Sequence, residues 1–309
     1  MLSSILVGLD GSDYSHSAIE LGIYLARKTG ALLVGLGVVD EPTIRDAEPR
    51  FIAGGVPYAE PVLYRERIAS ARREVELFLS QFSLRCAEAD VACKVLEDVG
   101  LPYEQIEQQA ERYDLILMGQ QTRFHFETQE GYDDTVRRLL KNSPRPVITV
   151  PARLNLKPDD PDHTALVAYD GSLQAARALQ AFQNCGLAGV LPTIVVSVSS
   201  EQLEAARVAE RAIDYLRFHD IKAEAFPITT HQATAAVLLE AAAEHTSVLI
   251  VIGGYGQSIV RESFMLDWPV IFWPSWLWGY GLSILREFFK GSVTRTLLAE
   301  SPVPLFLYH

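Results

Sequence analysis

Apolar and polar positions along this chain follow two alternating periods. Ser4–Leu9 and Ala31–Val39 are unbroken apolar runs bounded by polar or turn residues, and they read as buried strands. Between them, Ser15–Lys28 sets Ile19, Ile23 and Ala26 at helical spacing. The alternation continues with a helix ending near Cys86, a strand Val91–Leu96, a helix Tyr103–Glu111, a strand Asp114–Met118, a short helix Asp134–Lys141 and a strand Pro146–Val150. Asp40 to about Glu60 holds three prolines and two consecutive glycines and reads as a long loop.

The pattern then starts again. Ile5-Leu-Val-Gly-Leu-Asp10-Gly-Ser12 returns as Ala165-Leu-Val-Ala-Tyr-Asp170-Gly-Ser172, each an apolar run followed by an Ala-rich helical stretch. Strands Ala165–Ala168, Pro192–Val198, Lys222–Pro227, Val248–Ile252 and Pro304–Tyr308 alternate with helices Leu173–Asn184, Glu201–His219, Ala233–His245 and Val293–Ala299. A repeat of half the chain length means two copies of one small domain, here 1–151 and 164–309, with Pro151–His163 as a linker between two folded bodies. Five strands separated by helices require a parallel sheet covered on both faces, because right-handed crossovers put the helices there. The fold class is therefore α/β, as two tandem five-stranded, parallel, open-sheet, Rossmann-like domains.

Ligands of such sheets collect where the carboxyl ends of strands meet helix N-termini, and glycines there let backbone N–H groups approach a phosphate. The fourth strand of the second half ends Val251-Ile-Gly253-Gly-Tyr-Gly256, and Gly291-Ser292-Val293 opens the final helix. With Asp170 after the first strand, these residues resemble the universal stress protein family, whose ATP-binding members carry Gly-x-x-Gly, nine residues, then Gly-Ser or Gly-Thr. The resemblance runs through both Asp-Gly-Ser turns and both closing strands. It implies a fold related to the adenine nucleotide alpha hydrolase-like proteins, with ATP or another adenine nucleotide, and Mg as a candidate companion, across strands one and four. In that alignment Asp170 faces the ribose and adenine, Gly253 and Gly256 the phosphate turn, and Gly291 with Ser292 the terminal phosphates. The alternative reading of these glycines is helix–strand packing alone.

The second half departs from the family at one place. Gly256 and Gly291 are separated by 34 intervening residues instead of nine. Within the gap Gly254-Tyr-Gly-Gln-Ser-Ile-Val-Arg-Glu262 returns as Gly279-Tyr-Gly-Leu-Ser-Ile-Leu-Arg-Glu287, seven of nine positions matching, and Gly281 restores the nine-residue spacing to Gly291. A local tandem duplication explains both facts and leaves open which copy lines the site. The insert, about 257–281, carries all four tryptophans, and Trp268–Leu285 is uncharged for 18 residues but interrupted by Pro269, Pro274, Gly279 and Gly281. A membrane span, a cover within the chain or between two copies in a homodimer, and a membrane-surface or partner contact are its three readings.

The first half departs differently. Its fourth strand ends Leu117-Met-Gly119-Gln-Gln-Thr122 without a second glycine, and Asp133-Asp134 stand where Gly-Ser is expected. Two carboxylates beside a triphosphate repel it, so this copy is expected to be degenerate, with both aspartates serving the first turn of the last helix.

Composition narrows the partners. A formal net charge of -12 and pI near 5.1 oppose binding to a phosphate backbone, which excludes nucleic acid. Cys86, Cys93 and Cys185 form no metal or redox motif and suit reduced thiols in the cytoplasm, and no secretory leader is expected because Asp10 and Asp13 interrupt the first apolar run. The seven histidines make no zinc pattern, and no metal ligand is assigned. Ser12 and Ser172 sit in no Gly-x-Ser-x-Gly elbow and read as helix caps. No P-loop lysine exists to assist phosphoryl transfer, and no catalytic residue is assigned. The sequence therefore reads as a stress-response or signalling module that binds adenine nucleotide mainly in its second domain. Its alternatives are a structural or interaction protein using the Trp-rich insert, and a slow ATP hydrolase.

Overall fold

The computed structural model describes residues 2–47, 50–53, 56–59, 61–157, 163–254 and 292–309. In the first half they form β1 (Ser4–Leu9), α1 (Asp13–Thr29), β2 (Leu32–Val39), α2 (Glu41–Asp46), β3 (Arg50–Ala53), β4 (Val56–Ala59), α3 (Pro61–Glu88), β5 (Cys93–Val99), α4 (Pro102–Ala110), β6 (Leu115–Gly119), α5 (Thr135–Asn142) and β7 (Val147–Val150). The second half adds β8 (Thr164–Ala168), α6 (Leu173–Asn184), β9 (Thr193–Ser199), α7 (Gln202–Phe218), β10 (Ala223–Thr229), α8 (Thr234–Glu244), β11 (Ser247–Gly253), α9 (Ser292–Glu300) and β12 (Leu305–Tyr308).

Alternate residues of the strands feed two cores, as a sheet buried on both faces requires. Ile5, Val7 and Leu9 of β1 join one core, whereas Leu6 joins the other. The first core is closed by α1, α3, α6 and α7 through residues such as Leu25, Phe82, Phe182 and Leu216. The second is closed by α4, α5, α8 and α9 through Ile106, Leu139, Leu238 and Leu297. In each half the strands run in the same order, with the fifth beside the fourth, the fourth beside the first, and the third at the edge.

The two five-stranded parallel sheets are continuous. β7 and β12 pair antiparallel, Phe306 opposite Ile148, which makes one ten-stranded sheet ordered β10-β9-β8-β11-β12-β7-β6-β1-β2-β5. Phe182 meets the ring of Phe306 edge-on at 5.7 Å across this junction's core face. The halves are also tied off the sheet. The Gln120 side-chain amide donates to the Ser301 carbonyl at 3.0 Å, and the linker is held to the first half by the Ser17 hydroxyl, which donates to the Ala152 carbonyl at 2.9 Å, and by buried His163, within 3.3 Å of the buried Tyr24 hydroxyl.

Across the linker Pro151–His163 the two halves share strand pairing and both cores, and one expectation changes. The expected loop from Asp40 to about Glu60 contains a helix, α2, and an antiparallel hairpin, β3–β4, in which Arg50 pairs with Ala59. Asp40 starts α2 by accepting the Thr43 N–H on Oδ1 at 3.3 Å, a capping role available to any aspartate ahead of a helical turn.

Candidate functional site

The switch point of each half lies between its first and fourth strands, from which the chain leaves toward opposite neighbours. Identical local devices build both. Gly11 and Gly171 take positive φ of 70° and 78°, a conformation glycine adopts without strain, and turn the chain into α1 and α6. Ser12 and Ser172 cap those helices through the Ser15 and Ala175 N–H groups at 3.3 and 3.2 Å. Gly119 and Gly253 end the fourth strands under the helix starts. A Cβ on Gly119 would lie 2.5 Å from Tyr14 Cβ, and one on Gly253 would lie 2.8 Å from the Gln174 carbonyl carbon and 2.9 Å from the Ala175 nitrogen. Helix–strand packing alone therefore requires glycine at both points.

Above this common frame the halves separate. In the first, Asp10 is only 5% exposed and its carboxylate accepts three hydrogen bonds: the Ser12 N–H at 3.0 Å, the Ser12 hydroxyl at 2.6 Å and the Arg123 N–H at 2.6 Å. Arg123 belongs to the segment Gln120–Asp134, which folds back over the strand ends. Its Phe124 is buried beside Met118, against the face left open by Gly8. Phe126 meets Phe78 of α3 edge-on at 6.0 Å, and His125 Nδ1 forms an ion pair with the buried carboxylate of Asp40 at the end of β2. Asp133 closes the segment on itself. Its carboxylate accepts the Thr122 hydroxyl at 2.5 Å, the Phe124 N–H at 2.6 Å and the Thr135 N–H at 2.9 Å. The last of these serves the start of α5, as the sequence suggests, and the other two hold the segment down. Asp134 pairs with Arg138 at 2.8 Å.

Charge reinforces this closure. The hydrogen bond to Asp40 raises the His125 pKa above its ordinary value; burial opposes the rise, and the charges of Asp40, Asp133 and Asp134 add to it. Burial also raises the Glu74 carboxyl pKa, helped by the like charge of Glu127 and opposed by Arg123. None of these pairings carries a sequence signature. Asp40 and His125 are 85 positions apart and belong to no motif.

In the second half Asp170 is exposed. One carboxylate oxygen accepts the Ser172 N–H at 2.9 Å, and among the described residues no other hydrogen bond reaches it. The N-terminus of α9 is moored at the fourth strand, where the buried Thr294 hydroxyl donates to the Gly253 carbonyl at 3.2 Å. Asp170 thus follows β8, whose neighbour β11 ends at Gly253, and α9 starts against that same strand end. Gly254 spends its N–H on the Tyr308 carbonyl at 2.7 Å. Gly256, Gly281, Gly291 and the Trp-rich insert lie outside the described residues, as does the side chain of Ser292. An open carboxylate and a moored helix N-terminus are groups that fit the ribose and the phosphates of a nucleotide. Among the described residues no cluster of three His, Cys, Asp or Glu side chains is arranged for a metal ion, and no helix is long and apolar enough to cross a membrane. Burial pushes the Cys86 thiol up to about 12, with neighbouring Cys93 adding to it, and likewise pushes Cys185 up to about 12, which makes both poor nucleophiles at neutral pH.

Comparison with known proteins finds relatives that share this repeated αβ frame. The model of the universal stress protein family matches residues 1–151. The universal stress protein Slr1230 of Synechocystis sp. is 21% identical over 99% of this chain and the whole of its own length. A universal stress protein from Archaeoglobus fulgidus superposes with a TM-score of 0.61 at 17% identity, covering 98% of this chain and 97% of that one. A universal stress protein family protein from Arabidopsis thaliana, solved with AMP bound, is 18% identical over 52% of this chain and 97% of its own, with a TM-score of 0.34. Residues 1–151 belong to the universal stress protein family, and with the second half repeating their fold the chain is similar throughout to tandem, UspA-like members.

Proposed function

We propose that this protein is a cytoplasmic stress-response or signalling module that binds one adenine nucleotide, ATP first among candidates, in the crevice between β8 and β11. The observation that carries the reading is the contrast between two equivalent carboxylates: Asp10 is buried and accepts three hydrogen bonds, whereas Asp170 is exposed and accepts one among the described residues. In this reading Asp170 receives ribose hydroxyls, the turn of Gly253 and Gly256, or of the duplicate Gly281, cradles phosphate, and Gly291 with Ser292 at the start of α9 meets the terminal phosphates. The first half keeps the frame and serves as a structural partner, because its own segment Gln120–Asp134 occupies the equivalent mouth.

The test is native mass spectrometry of the purified protein followed by calorimetric titration with ATP, ADP and AMP. One nucleotide per chain is expected. Asp170→Ala should weaken binding by about tenfold or more, the loss of a charge-assisted hydrogen bond of roughly 1.5 to 3 kcal/mol. Gly291→Asp should abolish binding, and Asp134→Ala should leave it unchanged. Two nucleotides per chain, or none, would overturn the reading.

A further inference from the structure

We infer that Arg211 of α7 is a ligand-contacting residue of the second site, lying against the face of the purine base and setting the preference for a planar aromatic group there. The inference rests on the nucleotide reading above. Its observation is the space over the Gly171 turn. A Cβ on Gly171 would lie 2.5 Å from Arg211 Nη2, so the guanidinium rests on the turn that follows Asp170. The first half fills the equivalent space over Gly11 with the ring of Phe78. Phe78 and Val208 each lie twelve residues before a left-handed aspartate, Asp90 and Asp220, that closes α3 and α7 alike, so Val208 holds the place of Phe78. Valine is too short to fill it, its Cγ1 ending 3.7 Å from that Cβ, and Arg211 reaches in from the next helical turn.

That space faces whatever covers the switch point. In the first half Phe78 meets Phe126, a side chain of the covering segment. In the second half the group in that position is an exposed, permanently charged, planar cation. Its neighbours on α7 are occupied, Arg207 with Glu204 at 2.8 Å and Arg217 with Asp214 at 2.5 Å, but among the described residues no carboxylate pairs with Arg211. Position decides which portion of a nucleotide it meets. α7 packs over β9 and β10, on the opposite side of β8 from β11, where α9 is moored and the phosphates are expected. A guanidinium at the end away from the phosphates is matched to an aromatic base, on which it stacks through its flat face.

The experiment titrates adenosine, AMP and ATP into the full-length wild type, Arg211→Gln, Arg211→Lys and Arg211→Phe, with thermal melting of each variant as the folding control. Arg211→Gln should weaken all three ligands by one common factor of about threefold to thirtyfold. Arg211→Phe should recover most of that loss, and Arg211→Lys should recover less. Unchanged affinities overturn the inference, and so does a loss that grows with phosphate number, because it assigns Arg211 to the phosphates. Wild type that binds none of the three removes the nucleotide reading itself, and this inference with it.

Discussion

The two switch points of this molecule share a frame and differ in their cover. Both have the left-handed glycine after Asp10 or Asp170, the serine cap, and the fourth-strand glycine pressed on a helix start. In the first half the chain supplies its own occupant, with Arg123 on Asp10, His125 on Asp40 and Phe126 on Phe78. In the second the matching carboxylate is exposed. The lesson is that the repeat preserves what the backbone needs, while in the first half the segment after the fourth strand spends the carboxylate on stability. The largest expected effect tests this directly. Asp10→Ala removes a buried acceptor of three hydrogen bonds and should destabilise the protein by about 3 kcal/mol, whereas Asp170→Ala should cost less than about 1 kcal/mol. Urea denaturation of both variants without nucleotide measures the difference; equal losses would mean that the two carboxylates do the same structural work.

The fourth-strand glycines should show the opposite, an equal response in both halves. Gly119→Ala and Gly253→Ala each drive a methyl group into a helix start, at 2.5 Å from Tyr14 Cβ and 2.8 Å from the Gln174 carbonyl carbon. Each should cost about 2 kcal/mol, the usual penalty for overpacking against backbone that cannot yield. A much smaller cost at Gly253 would leave phosphate approach as the main reason for glycine there.

A smaller and local effect separates the covers by pH. Protonated His125 is favoured by Asp40, so its folded pKa is raised; that stabilisation is complete below the ordinary histidine value near 6.5 and is lost as pH rises through the raised one. Hydrogen exchange of the 123–128 amides should therefore be slower at pH 6 than the intrinsic rate change to pH 8.5 accounts for. His125→Gln should remove that excess protection and leave the second half unaltered. An excess of the same size in His125→Gln would assign the effect to other groups.

The frame was legible in the sequence because it obeys local rules. Strand and helix periods, the Asp-Gly-Ser turns and the αβ alternation yield Ser4–Leu9 and Leu173–Asn184 to the residue, and the serine caps follow from their place before a helix. The end of β8, after which Asp170 stands, and the end of β11 at Gly253 are neighbours because the topology brings first and fourth strands together. What the sequence hid is non-local. The Phe306–Ile148 pairing that fuses the sheets joins residues with no motif, and apolar strands of this composition pair equally well within a domain or between domains. The cover of the first half rests on Asp40 and His125, distant in the chain, and on backbone N–H groups that any residue supplies. The placing of Arg211 over the Gly171 turn has no sequence signature, because it depends on the shortness of Val208 one turn away.

The smallest expected effect divides the two serine caps. Ser172→Ala removes one cap bond, from the Ala175 N–H at 3.2 Å, and should cost about 1 kcal/mol, the usual worth of an N-cap. Ser12→Ala removes the matching bond from the Ser15 N–H and also the hydroxyl that donates to buried Asp10 at 2.6 Å. Asp10 would keep its two backbone donors, Ser12 N–H and Arg123 N–H, so the additional cost should be about 1 kcal/mol rather than that of a bare carboxylate. The comparison becomes sharper in the double variant with Asp10→Ala. Once the carboxylate is gone, Ser12→Ala should cost only what Ser172→Ala costs, because the cap alone remains. A Ser12 penalty that stayed larger in that background would place the extra energy in the helix, and Asp10 would lose its role as the anchor that distinguishes the first half from the second.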